Sequence, residues 1–402
     1  MNVQLIQVLT GAIVAFGIAY FSVPILRRVA YHSDFYDKPD NDRKLHDRYV
    51  PTLGGVAIFL AFFVGFSISG FAEHMEGYPY FSAAMILLFF TGLKDDIVDL
   101  SAKTKLVMEL VVAGLLIFGC GMYIDNFYGV FGVHEIPYWV SVALTTFTLI
   151  VVVNSYNLID GIDGLAAGTG IIASFFFGLG FYVAGELALA TISFVLLVSL
   201  AAYLKYNFNP AEIFMGDTGS LVVGFLLAVL AINFVGLNGN AAYTEVFGAT
   251  SPILPVAILA LPLFDTFTVF YKRIRRGKSP FNPGRDHVHH SILSAGFGHK
   301  VTSILLYGCS IFITLIAISV KQLDINLVFL TTLLSMFLFL PTNGFKRRLL
   351  KGIGFDIEAH LDTHKTLQEL RKETQEISSS SNEGKNSSDE SINREKREYS
   401  ST

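Results

Sequence analysis

The stretch Leu149-Ile150-Val151-Val152-Val153-Asn154-Ser155-Tyr156-Asn157-Leu158-Ile159-Asp160-Gly161-Ile162-Asp163-Gly164 decides the fold. Its first part closes an apolar run over 138–156, which is long enough to cross a hydrocarbon core of ~30 Å. The run then turns polar within a few residues and delivers two aspartates, each followed by a glycine. A transmembrane helix that carries carboxylates to its end reads as a membrane protein with chemistry at the bilayer surface. Carboxylates this close to hydrocarbon are costly and usually have a function.

Ten further apolar segments flank this one, at 3–24, 52–71, 81–93, 106–124, 165–183, 188–204, 220–237, 253–271, 301–320 and 326–345. The third is short and must borrow residues from its flanks. The composition agrees: 52% of the 402 residues are hydrophobic and 15% charged, where a soluble domain carries about 25% charged residues. The expected fold is an all-α integral membrane protein with about eleven transmembrane helices around a cytoplasmic catalytic cleft. The first apolar run has no basic residue before it, so it reads as a retained helix and not a cleaved signal peptide. Cys120 and Cys309 both lie in apolar runs and suggest neither a disulfide framework nor a zinc site.

Lys and Arg then set the orientation. Loops 25–51, 94–105, 205–219 and 272–300, with the tail from Lys346, hold 28 of the 29 basic residues, and only Lys321 falls on the other face. By the positive-inside rule these loops are cytoplasmic, the N-terminus is outside and the C-terminus inside. The organisation expected is a polytopic domain over 1–345 and a cytoplasmic tail over 346–402. The tail is rich in Ser, Asn, Glu and Lys after about 377 and reads as largely disordered there. No internal repeat argues for a transporter built of inverted halves.

The acids cluster on the same face. Asp95, Asp96 and Asp99 follow the third span, Asp160 and Asp163 the fifth, Asp217 precedes the eighth in Gly216-Asp217-Thr218-Gly219-Ser220, and Asp265 lies late in the ninth. A lone aspartate is most often an N-cap or a solvated loop residue, but three clusters converging on one face point to a site. Asp and Asn oxygens are the hard ligands that Mg²⁺ prefers, usually with water and substrate phosphate completing the shell. A pyrophosphate substrate would be repelled by such a site unless a divalent cation bridged the two. Cations suited to phosphate share the face. Loop 272–300 carries Arg285-Asp286-His287-Val288-His289-His290, and a guanidinium can fork onto a phosphate. Lys272 to Lys278 read more blandly as an anchor at anionic headgroups. Lys105 reads either as a snorkelling helix-end lysine or as a phosphate contact.

With Arg43-Lys44-Leu45-His46 and Pro51-Thr52-Leu53-Gly54-Gly55 in the first loop, these motifs occur in an order and spacing that resembles the bacterial polyprenyl-phosphate N-acetylhexosamine-1-phosphate transferases. The resemblance covers about residues 1–345. It implies a bacterial inner-membrane enzyme in which undecaprenyl phosphate attacks the β-phosphorus of a UDP-sugar, giving a polyprenyl-pyrophosphoryl-sugar and UMP. It implies Mg²⁺, with Mn²⁺ as a substitute, held by Asp217 and Asn157. Asp95 or Asp96 would serve the acceptor side, as base or as phosphate-positioning group, with Lys44, His46 and Lys105 at the phosphates. Asp160 and Asp163, with Asp265, would act as catalytic or outer-shell groups or as sugar contacts. Arg285, His287, His289 and His290 would serve the donor.

The His287-Val288-His289-His290 run resembles the branch that starts O-antigen, enterobacterial common antigen or teichoic acid linkage units in cell-wall biogenesis, which typically uses UDP-N-acetylglucosamine. The UDP-N-acetylmuramoyl-pentapeptide branch tends to carry three consecutive histidines here. Two other classes compete. A transporter would place its acids near mid-membrane. A CDP-alcohol phosphotransferase would need an Asp-Gly-x-x-Ala-Arg run, but Asp163-Gly164 is followed by Leu165-Ala166-Ala167-Gly168. The expected partners are the UDP-sugar, the lipid acceptor and the membrane, with no nucleic acid; a homodimer stays open.

Overall fold

A chain this apolar must satisfy its backbone polar groups within each segment, because hydrocarbon offers them no partner; helices do this. The computed structural model describes residues 3–32, 36–37, 50–277, 279, 287–293 and 297–340. These lie in one compact unit spanning Met1–Leu293 and Phe297–Thr342. The expected tail lies outside the described residues.

The helices are α1 (Val3–His32), α2 (Gly54–Ile68), α3 (Tyr78–Ile97), α4 (Ala102–Gly114), α5 (Tyr138–Ile159), α6 (Leu165–Ala184) and α7 (Leu187–Asn207). They continue as α8 (Gly216–Val235), α9 (Ala241–Phe247), α10 (Leu254–Ile258), α11 (Ala260–Arg275), α12 (Val288–Leu293), α13 (His299–Ser319) and α14 (Ile325–Phe339). A two-residue antiparallel pairing joins Tyr36–Asp37 to Val50–Pro51.

Among the described residues six helices are long and apolar enough to cross a membrane: α1, α5, α6, α7, α8 and α13; α2 and α14 are shorter apolar helices. Helix lies over each of the eleven apolar segments, with two departures in detail. The fourth ends in a π-helical turn at Leu115–Gly119. The ninth is broken at Leu259 into α10 and α11. Pro262 explains the break, since it has no N–H to return to the carbonyl four residues earlier. The third segment does extend into its flanks, to 20 residues.

α8 stands at the centre: 89% of its apolar window is buried, against 22% for α1. It packs against α2, α3, α5 and α6. α1 lies outside, on α2 and α7, and leaves Ile13, Phe21 and Ile25 exposed, as lipid-facing side chains should be. At the end where α5 begins, Tyr123, Tyr138 and Trp139 form an edge-to-face chain of rings of the kind that sits at a membrane interface. The opposite end of the bundle collects the ends of α3 and α5 and the starts of α4 and α8. α3 reaches α8 there because Gly92 has no side chain: a Cβ would lie 2.4 Å from the Asp217 carbonyl oxygen.

Candidate active site

The first turn of α8, Gly216 to Ser220, is the hub. Its leading amides have no partner within the helix. Asp96, from the last turn of α3, takes them. One carboxylate oxygen accepts from the Asp217 amide at 2.8 Å, and the other accepts from the Thr218 amide at 2.9 Å and the Thr218 hydroxyl at 2.5 Å. Asp96 is thus an N-terminal cap supplied by another helix. The residues just before α8 are held by the Pro51–Gly55 motif. Phe214 N–H donates to the Pro51 carbonyl at 2.7 Å, and the Gly54 and Gly55 amides donate back to Phe214 and Met215 at 3.0 and 2.9 Å.

The neighbouring carboxylate faces elsewhere. Lys105, in the first turn of α4, lies 2.5 Å from Asp95 and 2.5 Å from Asp217, bridging the two. α4 starts where it does because the Ser101 side chain accepts from the Thr104 amide. Lys105 therefore points into the bundle end and does not snorkel away from it. The other Asp217 oxygen accepts from the Asn157 amide at 3.0 Å, and that amide also donates to Ser220 at 2.7 Å. The two residues expected at a metal are thus brought together on one carboxylate, with Lys105 and Asp95 beside them. Asp99 is exposed.

Asp160 caps the end of α5. Burial pushes its carboxyl up to about 7, and the Asp217 and Asp96 charges add to the effect. Asp163 is placed differently. Only 3% exposed, it accepts from the Asn209 side chain at 2.8 Å and the Ala211 amide at 3.1 Å, and lies 3.3 Å from His299 Nδ1 at the start of α13. Burial opposes its charge, but His299, Asn209 and the Ala211 amide outweigh it and hold the carboxyl below its ordinary value. Asp163 ties three segments together, whereas Asp160 faces the carboxylate group at α8.

The histidine motif rests on Asp265. That carboxylate, 1% exposed, accepts from the Val288 amide at 2.7 Å and pairs with His287 Nδ1 at 3.1 Å; His289 Nδ1 is 3.7 Å away. His289 lies against the Asp160-Gly161 turn, where a Cβ on Gly161 would meet its Nε2 at 2.7 Å. The His287 and His289 rings stack, and the His290 ring lies edge-on to His287 and tilted against His289. Lys44, His46 and Arg285 lie outside the described residues.

Asp217 and Asn157 fit a magnesium ion by donor chemistry: both offer oxygen, Asn157 after a turn of its amide, and Asp217 keeps 26% of its side chain accessible. Among the described residues no group of three or more His, Cys, Asp or Glu side chains is arranged for a metal. Two protein ligands with substrate oxygens and water suit Mg²⁺ better than a protein-only cage.

Reading the sequence by its loop clusters overlooked Glu109. It lies inside the fourth apolar segment, is 2% exposed, and accepts from Asn154. The signal was present, since an acid within an apolar run is itself a marker. The His299 partnership with Asp163 had no such signal.

Fold and site define a multi-pass, all-α membrane protein with carboxylates, a lysine and histidines gathered at one end of its bundle. The family model for glycosyl transferase family 4 matches residues 78–235. A probable undecaprenyl-phosphate N-acetylglucosaminyl 1-phosphate transferase of Bacillus subtilis (strain 168) is 30% identical over 366 residues, 87% of this chain and 99% of the relative. Undecaprenyl-phosphate alpha-N-acetylglucosaminyl 1-phosphate transferases of Yersinia pestis and Escherichia coli (strain K12) are 30% and 29% identical. These alignments span 70% and 75% of this chain, and 76% and 81% of those proteins. The chain belongs to glycosyl transferase family 4, in the branch that holds these undecaprenyl-phosphate transferases.

Proposed function

We propose that this protein transfers N-acetylglucosamine-1-phosphate from UDP-N-acetylglucosamine to undecaprenyl phosphate, giving undecaprenyl-pyrophosphoryl-N-acetylglucosamine and UMP. The observation that carries the reading is the similarity to the Bacillus subtilis relative over 99% of that protein's length. The gathering of Asp95, Lys105, Asn157 and Asp217 at one helix end supports it. A phosphate oxygen of the lipid forms a bond to the β-phosphorus. The bond from that phosphorus to the oxygen of the α-phosphate breaks, and UMP leaves. One phosphoanhydride replaces another, so positioning and charge stabilisation matter more than covalent chemistry.

The residues divide the work. Asp96 holds the start of α8 and so fixes where Asp217 stands. Asp95 is the member of the pair left facing Lys105, and it takes the acceptor-side role. Lys105, with Lys44 and His46, supplies cations to phosphate oxygens. Arg285 and the histidines braced by Asp265 serve the donor. Asp160 lies between the histidine segment and α8, suited to the sugar or to a proton near neutral pH. Asp217 and Asn157 would hold Mg²⁺, which supplies Lewis acidity and charge neutralisation at the pyrophosphate. Eleven spans around a cytoplasmic cleft, in a bacterial inner membrane with the N-terminus outside, agree with the one-sided Lys and Arg distribution. On this reading residues 1–345 are the catalytic domain and 346–402 a cytoplasmic tail.

The test is UMP release by the purified protein in detergent. Release is expected only when UDP-N-acetylglucosamine, undecaprenyl phosphate and Mg²⁺ are all present. UMP formed equally well without the lipid, or none formed with all three, would overturn the reading.

A further inference from the structure

One buried charge plays no part in the reaction as described. Glu109 sits inside the apolar run of α4 and faces α5, 2% exposed. Its two oxygens lie 3.0 and 2.9 Å from a single nitrogen, Asn154 Nδ2, which also lies 2.9 Å from its own helix carbonyl at Ile150. An amide nitrogen has two hydrogens. One serves Ile150, so one is left for two carboxylate oxygens. A single neutral donor leaves a buried carboxylate badly compensated, and such a charge is kept only where something offsets it. Lys105, four residues earlier on α4 and so on the same helix face, is the cation placed to do so.

Asn154 has a matching relation to the site. It stands three residues before Asn157 on α5, again on one face. Two rungs therefore cross between α4 and α5. The inner rung is Glu109 with Asn154. The outer rung runs from Lys105 through the Asp217 carboxylate to Asn157, with contacts of 2.5 and 3.0 Å. Rotating either helix to break the inner rung would swing Lys105 or Asn157 off Asp217.

We propose that Glu109 is a positioning residue for the transfer reaction: through Asn154 it sets the rotation of α4 against α5, and through its charge it holds Lys105, so that Lys105 and Asn157 meet on one Asp217 carboxylate. This rests on the function proposed above. Glu109 touches no substrate and acts through residues that do. A carboxylate kept merely for packing would be replaced by glutamine with little effect on the site, because glutamine keeps the shape and can still accept from Asn154. What glutamine lacks is the charge behind Lys105.

The experiment compares the full-length protein with Glu109→Gln, Glu109→Asp, Asn154→Ala and the Glu109→Gln/Asn154→Ala double variant. Four quantities are read: kcat and KM for UMP release, the unfolding temperature in detergent, and Mn²⁺ affinity from the signal of the free ion in electron paramagnetic resonance. Glu109→Gln should lower kcat on the order of tenfold with the donor KM changed less than about threefold, as expected when an interaction made in the transition state is lost. It should also weaken Mn²⁺ binding while the unfolding temperature stays near that of the parent. Glu109→Asp, which keeps the charge, should recover part of the turnover. The double variant should lose little more than the worse single one, because both changes remove the same rung. Parental kcat and Mn²⁺ affinity in Glu109→Gln would overturn the proposal. So would losses that follow the unfolding temperature equally in the Gln and Asp variants. If the unsubstituted protein releases no UMP with both substrates, the proposed function fails instead, and the two failures are distinguishable.

Discussion

Adjacent carboxylates at the end of α3 should fail in different ways when removed. Asp96 accepts three hydrogen bonds at the start of α8, two of them from backbone amides. Hydrogen bonds to a charged group contribute about 1.5–3 kcal/mol each, and orphaned buried donors add to the loss. Because Asp96 is only partly buried, the sum is discounted, leaving roughly 3–5 kcal/mol for Asp96→Ala. That corresponds to a fall on the order of 5–15 °C in unfolding temperature. Asp95 makes one ion pair with Lys105, the two side chains 11% and 24% exposed, and accepts from the Leu100 amide at 2.6 Å. Asp95→Ala should cost less, about 1–2 kcal/mol, because Lys105 keeps Asp217 as a partner and only the Leu100 amide is orphaned. Its effect on turnover should be far larger, on the order of 10²-fold, the usual contribution of a positioned catalytic group. Donor KM should hardly move. The assay is differential scanning fluorimetry in detergent alongside UMP release. An Asp96→Ala protein as stable as the parent, or an Asp95→Ala protein that loses more stability than turnover, would refute the division between cap and reacting group.

Other outcomes follow from the same geometry. Activity should vanish in EDTA and return with Mg²⁺ or Mn²⁺, and Asp217→Ala should shift or abolish that response in a folded protein; an unchanged Mg²⁺ titration would defeat the metal assignment. Arg285→Lys keeps the charge but loses the planar fork, so turnover should fall; full activity in Arg285→Ala would remove this residue from the reaction. Asp163 has a folded-state pKa below its ordinary value, so its contribution is present above the ordinary carboxylate range and is lost as pH falls through the folded value. Thermal unfolding from pH 6 to pH 3 should therefore be less acid-sensitive in Asp163→Asn than in the parent, and parallel curves would speak against the His299 tie. Cysteine labelling should reach Asn41 and Ser381 from the cytoplasm and Glu76 from outside; Glu76 labelled only from the cytoplasm would overturn the orientation.

The sequence by itself determined which segments are helices for a membrane and which residue types wait at their ends. Those properties are local: the transfer free energy of a run of side chains depends on that run alone, and a carboxylate beside it is legible from its neighbours. The expected placement of Asp217 and Asn157 at helix ends came from such local reading, as did the interest of the histidine run. The break at Leu259 was equally local, written in Pro262, but needed the hydrogen-bond pattern to be seen. What only the tertiary structure decided is which of these groups touch. Lys105 and Asp217 are 112 positions apart, and the Thr218 amide is 122 from the Asp96 carboxylate that caps it. Such contacts depend on helix rotation and close approach, set by packing at positions such as Gly92 and Gly161. Asp95 and Asp96 look alike in sequence, yet successive residues on a helix point about 100° apart, so one caps α8 and the other faces Lys105. For the same reason Glu109, one turn inside an apolar segment, acquires a partner only when α5 brings Asn154 against it.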